Sequence, residues 1–302
     1  MPTSQSYVAM SDGVRLFVET HGSGPRTLVI PNGLYLADDF KYLARDRMFV
    51  VYDVRNRGRS DTVTDRAKLA RGVEQDVDDL DIVRRQLGVD RIDLLGHSYI
   101  GLMVALYAMR YPAYVNRVVQ IGPMQPHALT QYPAHLSNND GTLTEVLARI
   151  AQLQKERGTD IVTEEACRQF WDVLRLIYVT DSKDADKVTW GRCDLKNERT
   201  FMKYFMTSLL PSIRALGLTA DDFAKAQAPV LTIHGTKDRS APYGGGRDWA
   251  ATLPHARLLT IPNAGHAPWI EAPAIVFDAV RVFFDGAWPE GAQAATRVPA
   301  NG

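Results

Sequence analysis

Little in this chain is concentrated. Its 302 residues include only two cysteines, Cys167 and Cys193. That is too few for a disulfide framework or a cysteine metal cluster, and the expectation is two free thiols. Neither sign of charge dominates, with 35 Lys+Arg against 35 Asp+Glu. A balanced chain has no broad basic field for a polyphosphate, so nucleic acid is not an expected partner. No apolar run approaches the roughly 18 residues of a membrane span, and Met1 to Phe17 contains Ser, Gln, Asp and Gly where a signal peptide needs an unbroken apolar stretch. A soluble, cytoplasmic protein without membrane association is expected. There is no internal repeat, low-complexity segment, phosphate-cradling glycine loop or zinc-ligand spacing, so no cofactor or metal is expected.

What is present is the composition of a globular protein, 45% hydrophobic and 23% charged. Val14 to Thr20, Thr27 to Ile30 and Met48 to Tyr52 read as strands flanked by Gly, Pro and Asp. From Val73 to Leu87, apolar residues recur every three or four positions, which predicts an amphipathic helix stopped at Gly88. A strand ending near Gly96, a helix from Tyr99 to Tyr111 and a strand from Val115 to Ile121 follow. The alternation returns with Val230 to His234, a helical stretch near Arg247 to Ala251, Leu258 to Ile261 and a helix from Pro273 to Phe284. Strand and helix in turn predict an α/β fold with a mostly parallel sheet flanked by helices.

Between Pro123 and Ala226 the strand signals vanish and three apolar helical stripes replace them. The first is opened by Thr142 with Glu145 three residues on, the pattern of a capping box. The expected organisation is a core of residues 1–122 and 227–286, a helical cap of residues 123–226 and a loose tail of residues 287–302, rich in Ala, Pro and Gly.

Gly96-His97-Ser98-Tyr99-Ile100-Gly101 lies where an apolar strand gives way to a helix. A side chain projecting from so sharp a turn needs small neighbours, and the N–H groups of the new helix favour a developing negative charge beside it. Later, Ile233-His234-Gly235-Thr236-Lys237-Asp238 and Asn263-Ala264-Gly265-His266 each follow a strand. The C-terminal ends of strands are where open α/β sheets place their sites.

These motifs, in the order nucleophile, acid, histidine, resemble the α/β-hydrolase superfamily, with a helical cap inserted after the sixth strand. The pattern Gly-x-Ser-x-Gly is met except that Ile100 occupies its fifth position, with Gly101 one place later. The resemblance implies Ser98 as nucleophile, His266 as general base and Asp238 as the acid that orients it. It implies an oxyanion hole from the backbone N–H groups of Tyr99 and Leu34, with Asn32-Gly33 standing where relatives carry His-Gly. The turn from Asp53 to Ser60 matches one that relatives carry after an early strand, with a structural role. His97 and His234 are expected to be packed, hydrogen-bonded histidines. The acid that some relatives carry after the strand Val115 to Ile121 is missing here, where Gly122-Pro123-Met124 follows.

Cap aromatics Trp171, Tyr178, Trp190, Phe201 and Tyr204 are candidates for a substrate pocket, although helically spaced aromatics also build cores. The implied activity is hydrolysis of a small or medium uncharged carboxylic ester through an acyl-enzyme on Ser98. Rival readings are a proline iminopeptidase-like aminopeptidase, with Glu164, Glu165, Asp194 or Glu198 holding the substrate ammonium, a carbon–carbon bond hydrolase, and a non-catalytic receptor of the same fold.

Overall fold

The computed structural model describes residues 4–127, 130–157, 163–189 and 192–296. Eight strands form one sheet: β1 (Ser4–Ala9), β2 (Arg15–His21), β3 (Thr27–Pro31), β4 (Met48–Tyr52), β5 (Ile92–His97), β6 (Val115–Ile121), β7 (Val230–Gly235) and β8 (Ala256–Ile261). Their spatial order is β1-β2-β4-β3-β5-β6-β7-β8. β1 with β2 and β2 with β4 are antiparallel, and every later pairing is parallel. This is the expected α/β architecture, with one strand that hydrophobic patterning does not reveal. β1 buries only Val8 of its six residues, because it is an edge strand whose backbone pairing, not its side chains, holds it in place.

Successive residues along a strand point to opposite faces, so the sheet feeds two cores. Val29, Val50, Leu94, Val118 and Val230 enter one cluster. Leu28, Ile30, Val51, Leu95, Val119 and Ile233 enter the other. Both faces are covered by helices, which is why β3, β5 and β7 are apolar and buried along nearly their whole lengths. The helix α1 (Val73–Gln86) packs on α2 (Tyr99–Arg110), and α2 lies against β5 and β6.

Between β6 and β7 the described residues form helices and no strand. The longest are α3 (Thr142–Arg157), α4 (Glu164–Leu174) and α5 (Lys196–Tyr204). α5 widens into a π-helical turn over Phe205–Leu209 before Leu210–Arg214 resumes the α-helix. Pro211 accounts for the change, since it has no N–H to return to the preceding turn. Beyond β7, α6 (Tyr243–Thr252) covers β7 and β8, and α7 (Pro273–Phe284) spans the expected residues.

Three expectations are corrected. Cys167 and Cys193 are not free thiols but a disulfide, with Cα atoms 5.7 Å apart, joining α4 to the segment before α5. Two isolated cysteines 26 residues apart carry no local pattern, and only the folding of α4 against that segment brings them together. The capping box at Thr142 does not form: Thr142 is the first helical residue, its N–H bonds Asp140 Oδ1, and Glu145 N–H bonds the Gly141 carbonyl. The box occurs instead at Thr219 and Asp222. Finally, the start of the expected loose tail is docked. Gln293 exchanges backbone hydrogen bonds with Leu258 of β8, Ala292 is buried, and Trp288 packs on Phe283 with Arg257 over its ring.

Candidate active site

Ser98 ends the turn between β5 and α2 in a conformation that L residues rarely adopt, φ 59° and ψ −126°. Backbone bonds hold it there. Its N–H donates to the Ile121 carbonyl at 3.0 Å, and its own carbonyl accepts from Met124 at 3.1 Å and from Leu102 at 3.3 Å. The small neighbours follow from close approach. A Cβ on Gly96 would lie 2.5 Å from the Ile100 carbonyl oxygen, and one on Gly101 would lie 3.0 Å from Pro123. Ile100 itself is buried in the core, so its side chain is accommodated while Gly96 and Gly101 carry the crowding.

The structure brings Asp238 and His266 together. His266 Nδ1 lies 2.7 Å from Asp238 Oδ2, and both side chains are buried. The carboxylate is saturated: Oδ2 also accepts from His234 Nε2 at 3.0 Å, and Oδ1 accepts from the N–H groups of Ser240 and Ala241, each at 2.8 Å. Burial alone would raise its pKa, but attraction to His266 and the bonds from the two histidines outweigh burial and hold Asp238 well below the usual carboxylate range. Gly122 abuts the pair, since a Cβ there would sit 2.9 Å from His266 Nδ1 and 3.2 Å from Asp238 Oδ2. A side chain at position 122 would crowd this arrangement.

His266 Nε2 is buried and makes no hydrogen bond among the described residues, leaving one ring nitrogen uncommitted while the other is fixed by the acid. Around it, Tyr178 stands edge-on with ring centroids 4.6 Å apart, and its carbonyl accepts from Ala267 N–H. His97 is a packed histidine. Its ring centroid is 4.3 Å from that of His266, Tyr35 Oη lies 2.8 Å from its Nδ1, and its Nε2 reaches the His266 carbonyl at 3.0 Å. Burial, reinforced by neighbouring His266, pushes its pKa well below the ordinary histidine value. His234 is likewise buried and engaged with Asp238 and the Ala241 carbonyl.

Ser98 opens on a cavity of about 240 Å³. Asn32, Tyr35, Arg57 and Tyr99 come from the core, and Trp171, Leu174, Tyr178, Phe201, Met202 and Phe205 from the segment between β6 and β7. Of the expected pocket aromatics, Trp171, Tyr178 and Phe201 are in this wall. Tyr204 is not: it lines a separate cavity of about 900 Å³ with Asn56, Arg66 and Thr207. Phe201, Met202 and Phe205 share a helical face, and Tyr204 projects roughly a quarter turn away. Trp190 lies outside the described residues. Leu34 sits between Asn32, whose φ is 55°, and Tyr35 in the short turn that follows β3.

Arg57 was not legible as a pocket residue. The turn after β4 does hold structure together, with Arg55 paired to Asp12 and Asp79 and Arg59 to Asp53 and Glu19. Arg57, however, reaches across to α5 and binds Glu198 through two hydrogen bonds of 2.8 Å. The signal that distinguishes it from its neighbours is tertiary.

The α/β-hydrolase fold family matches residues 30–273. The chain belongs to this family. It is 26% identical over 290 residues to a bifunctional esterase/perhydrolase of Acinetobacter calcoaceticus, covering 89% of this chain and 96% of that protein. It is 23% identical over 269 residues to a 2-hydroxy-6-oxononadienedioate/2-hydroxy-6-oxononatrienedioate hydrolase of Pseudomonas putida, covering 88% and 86%. Among solved structures, a serine hydrolase of Cycloclasticus zankles superposes with a TM-score of 0.70 at 17% identity, covering 94% of this chain and 99% of that one. As in other α/β-hydrolases, the features described above gather at the C-terminal ends of parallel strands. Among the described residues no helix is long and apolar enough to cross a membrane, and no group of three or more His, Cys, Asp or Glu is placed to hold a metal ion.

Proposed function

We propose that this α/β-hydrolase cleaves a small or medium carboxylic ester through an acyl-enzyme on Ser98. The observation that carries the reading is the pairing of His266 Nδ1 with a fully bonded Asp238, which leaves Nε2 uncommitted, in a site where a strained Ser98 opens on an apolar pocket. Asp238 fixes the tautomer with the proton on Nδ1, so Nε2 is the basic nitrogen. Ser98 Oγ attacks the ester carbonyl as its proton passes to Nε2. The oxyanion that forms is held by the N–H groups of Tyr99 and Leu34. Collapse expels the alcohol, which takes the proton from Nε2. Water then gives a proton to the same nitrogen and attacks the acyl-enzyme, and the acid is released as Ser98 Oγ leaves and takes that proton back. In this reading residues 1–122 and 227–286 are the catalytic core and residues 123–226 a cap that completes the pocket.

The pocket wall favours an ester over the aminopeptidase alternative. Glu198 accepts two bonds from Arg57 and a third from Gly58 N–H at 2.9 Å, so its charge is spent within the protein. Glu164 pairs with Arg168 and Asp194 with Arg192, while Glu165 accepts from Gln169, and none of these acids lines the cavity. A substrate ammonium would meet the Arg57 guanidinium instead. The test is parallel hydrolysis of p-nitrophenyl acetate, butyrate and octanoate and of proline p-nitroanilide, with Ser98→Ala as control. Ester turnover lost in the variant is the expected result. Dominant anilide turnover, or ester turnover that survives Ser98→Ala, contradicts the proposal.

A further inference from the structure

The pocket has two unlike walls. The helices between β6 and β7 contribute Trp171, Leu174, Phe201, Met202 and Phe205, whereas the core contributes Asn32, Tyr35 and Arg57. We propose that Asn32 and Arg57 form a polar subsite that hydrogen-bonds a second oxygen acceptor on the acyl part of the substrate. The inference rests on the ester reading above and deepens it.

Arg57 is 5% exposed and rigidly held. Nε and Nη2 are committed to Glu198, and the guanidinium lies over the Phe201 ring, 3.7 Å from its centroid. Among the described residues Nη1 has no hydrogen-bond partner, it is not one of the sealed polar atoms, and Arg57 lines the cavity. Two N–H donors are therefore presented in a fixed direction, with little side-chain entropy left to lose on binding. Because Glu198 balances the charge, the site attracts an oxygen acceptor without demanding a full counter-ion.

Asn32 supplies the second observation. It is 1% exposed and lines the same cavity, and its side chain makes no hydrogen bond among the described residues. Oδ1 is the sealed end of the amide, which leaves Nδ2 to face the cavity. A buried amide without a partner is costly unless something else supplies one. Its backbone is fixed by a 2.7 Å bond from its N–H to the Tyr52 carbonyl. Tyr35 does not compete for the ligand, since its hydroxyl is bonded to His97. Both cavity-facing groups are donors, so the ligand group is an acceptor, either a carboxylate or a neutral carbonyl.

Three methyl esters of similar length separate these cases: methyl pentanoate with no second oxygen, methyl levulinate with a ketone and monomethyl succinate with a carboxylate. Binding to Ser98→Ala is read by NMR titration. An oxygenated ester is expected to bind about tenfold or more tightly than methyl pentanoate. A larger gain for the succinate identifies a carboxylate, and for the levulinate a neutral carbonyl. Adding Arg57→Met with Glu198→Leu, which removes both charges together, should erase the preference. Asn32→Gly, which keeps the positive φ and deletes the amide, should reduce it and serves if the charge-free variant does not fold. Equal binding of all three esters, or a preference unchanged by both variants, overturns the proposal. The two readings fail separately. A binding preference in Ser98→Ala with no ester turnover by the wild type leaves the subsite and removes the esterase, whereas Ser98-dependent turnover of methyl pentanoate with no preference does the reverse.

Discussion

The two sides of the pocket are built by different means. On the core side, Ser98 follows β5, Asp238 follows β7 and His266 follows β8, and each is tied by short bonds to backbone or buried side chains. Gly96 and Gly122 sit where a Cβ would strike the site's own atoms. On the other side, Trp171 and Leu174 lie on α4 and Phe201 and Met202 on α5, held by the disulfide, by Glu198 on Arg57 and by Asn197 Nδ2 on the Ser60 carbonyl at 2.6 Å. Residues at the ends of sheet strands are held more precisely than residues on loops. Helices pinned at a few points leave the shape of the pocket open to variation without disturbing the chemistry.

The sharpest test of this contrast is on the core side. Asp238→Asn should lower kcat by about 10⁴, because the amide no longer fixes the His266 tautomer or balances its charge. KM should change little, and a kcat within tenfold of wild type would break the distinction. On the helical side the corresponding change acts on stability. Replacing Cys167 and Cys193 by Ala opens a loop of 26 residues and should cost about 3 kcal/mol in urea unfolding. An unchanged urea midpoint would show that the helices need no staple.

Asp93 sharpens the comparison from within the sheet. It is 1% exposed on β5, one of its oxygens has no partner among the described residues, and burial, opposed by Arg47 and other arginines, pushes its pKa up to about 6. A carboxyl raised in the folded state costs nothing below its unfolded pKa near 4, and the penalty grows as pH rises through about 6. Asp93→Asn should therefore stabilise the protein at pH 7 by at most about 3 kcal/mol and have little effect at pH 4. Equal effects at both pH values would contradict this account. The smallest expected effect is at Tyr204, which lines the other cavity: Tyr204→Phe should leave kcat/KM for p-nitrophenyl butyrate within about twofold. A larger loss would place it in the site after all.

Much of the core side was readable in the residues because its signals are local. Short apolar runs bounded by helix stops and turn glycines mark β3 to β8 and the positions of Ser98, Asp238 and His266 along the chain. The other side was only partly readable. A helical stripe shows which residues are buried but not what they face, so Trp171 and Tyr204 look alike until α4 and α5 are packed. Arg57 differs from Arg55 and Arg59 only by the carboxylate it reaches, 141 residues away. The disulfide had no local signal either. Reducing compartments ordinarily keep such a pair as two thiols, so the bridge lends no support to the cytoplasmic expectation.

The central claim is that Ser98 is the nucleophile. Intact-protein mass spectrometry after treatment with a fluorophosphonate tests it directly. One adduct per chain, located on Ser98, accompanied by loss of ester turnover and absent from Ser98→Ala, is the predicted result. No adduct, or one that persists in Ser98→Ala, would contradict it.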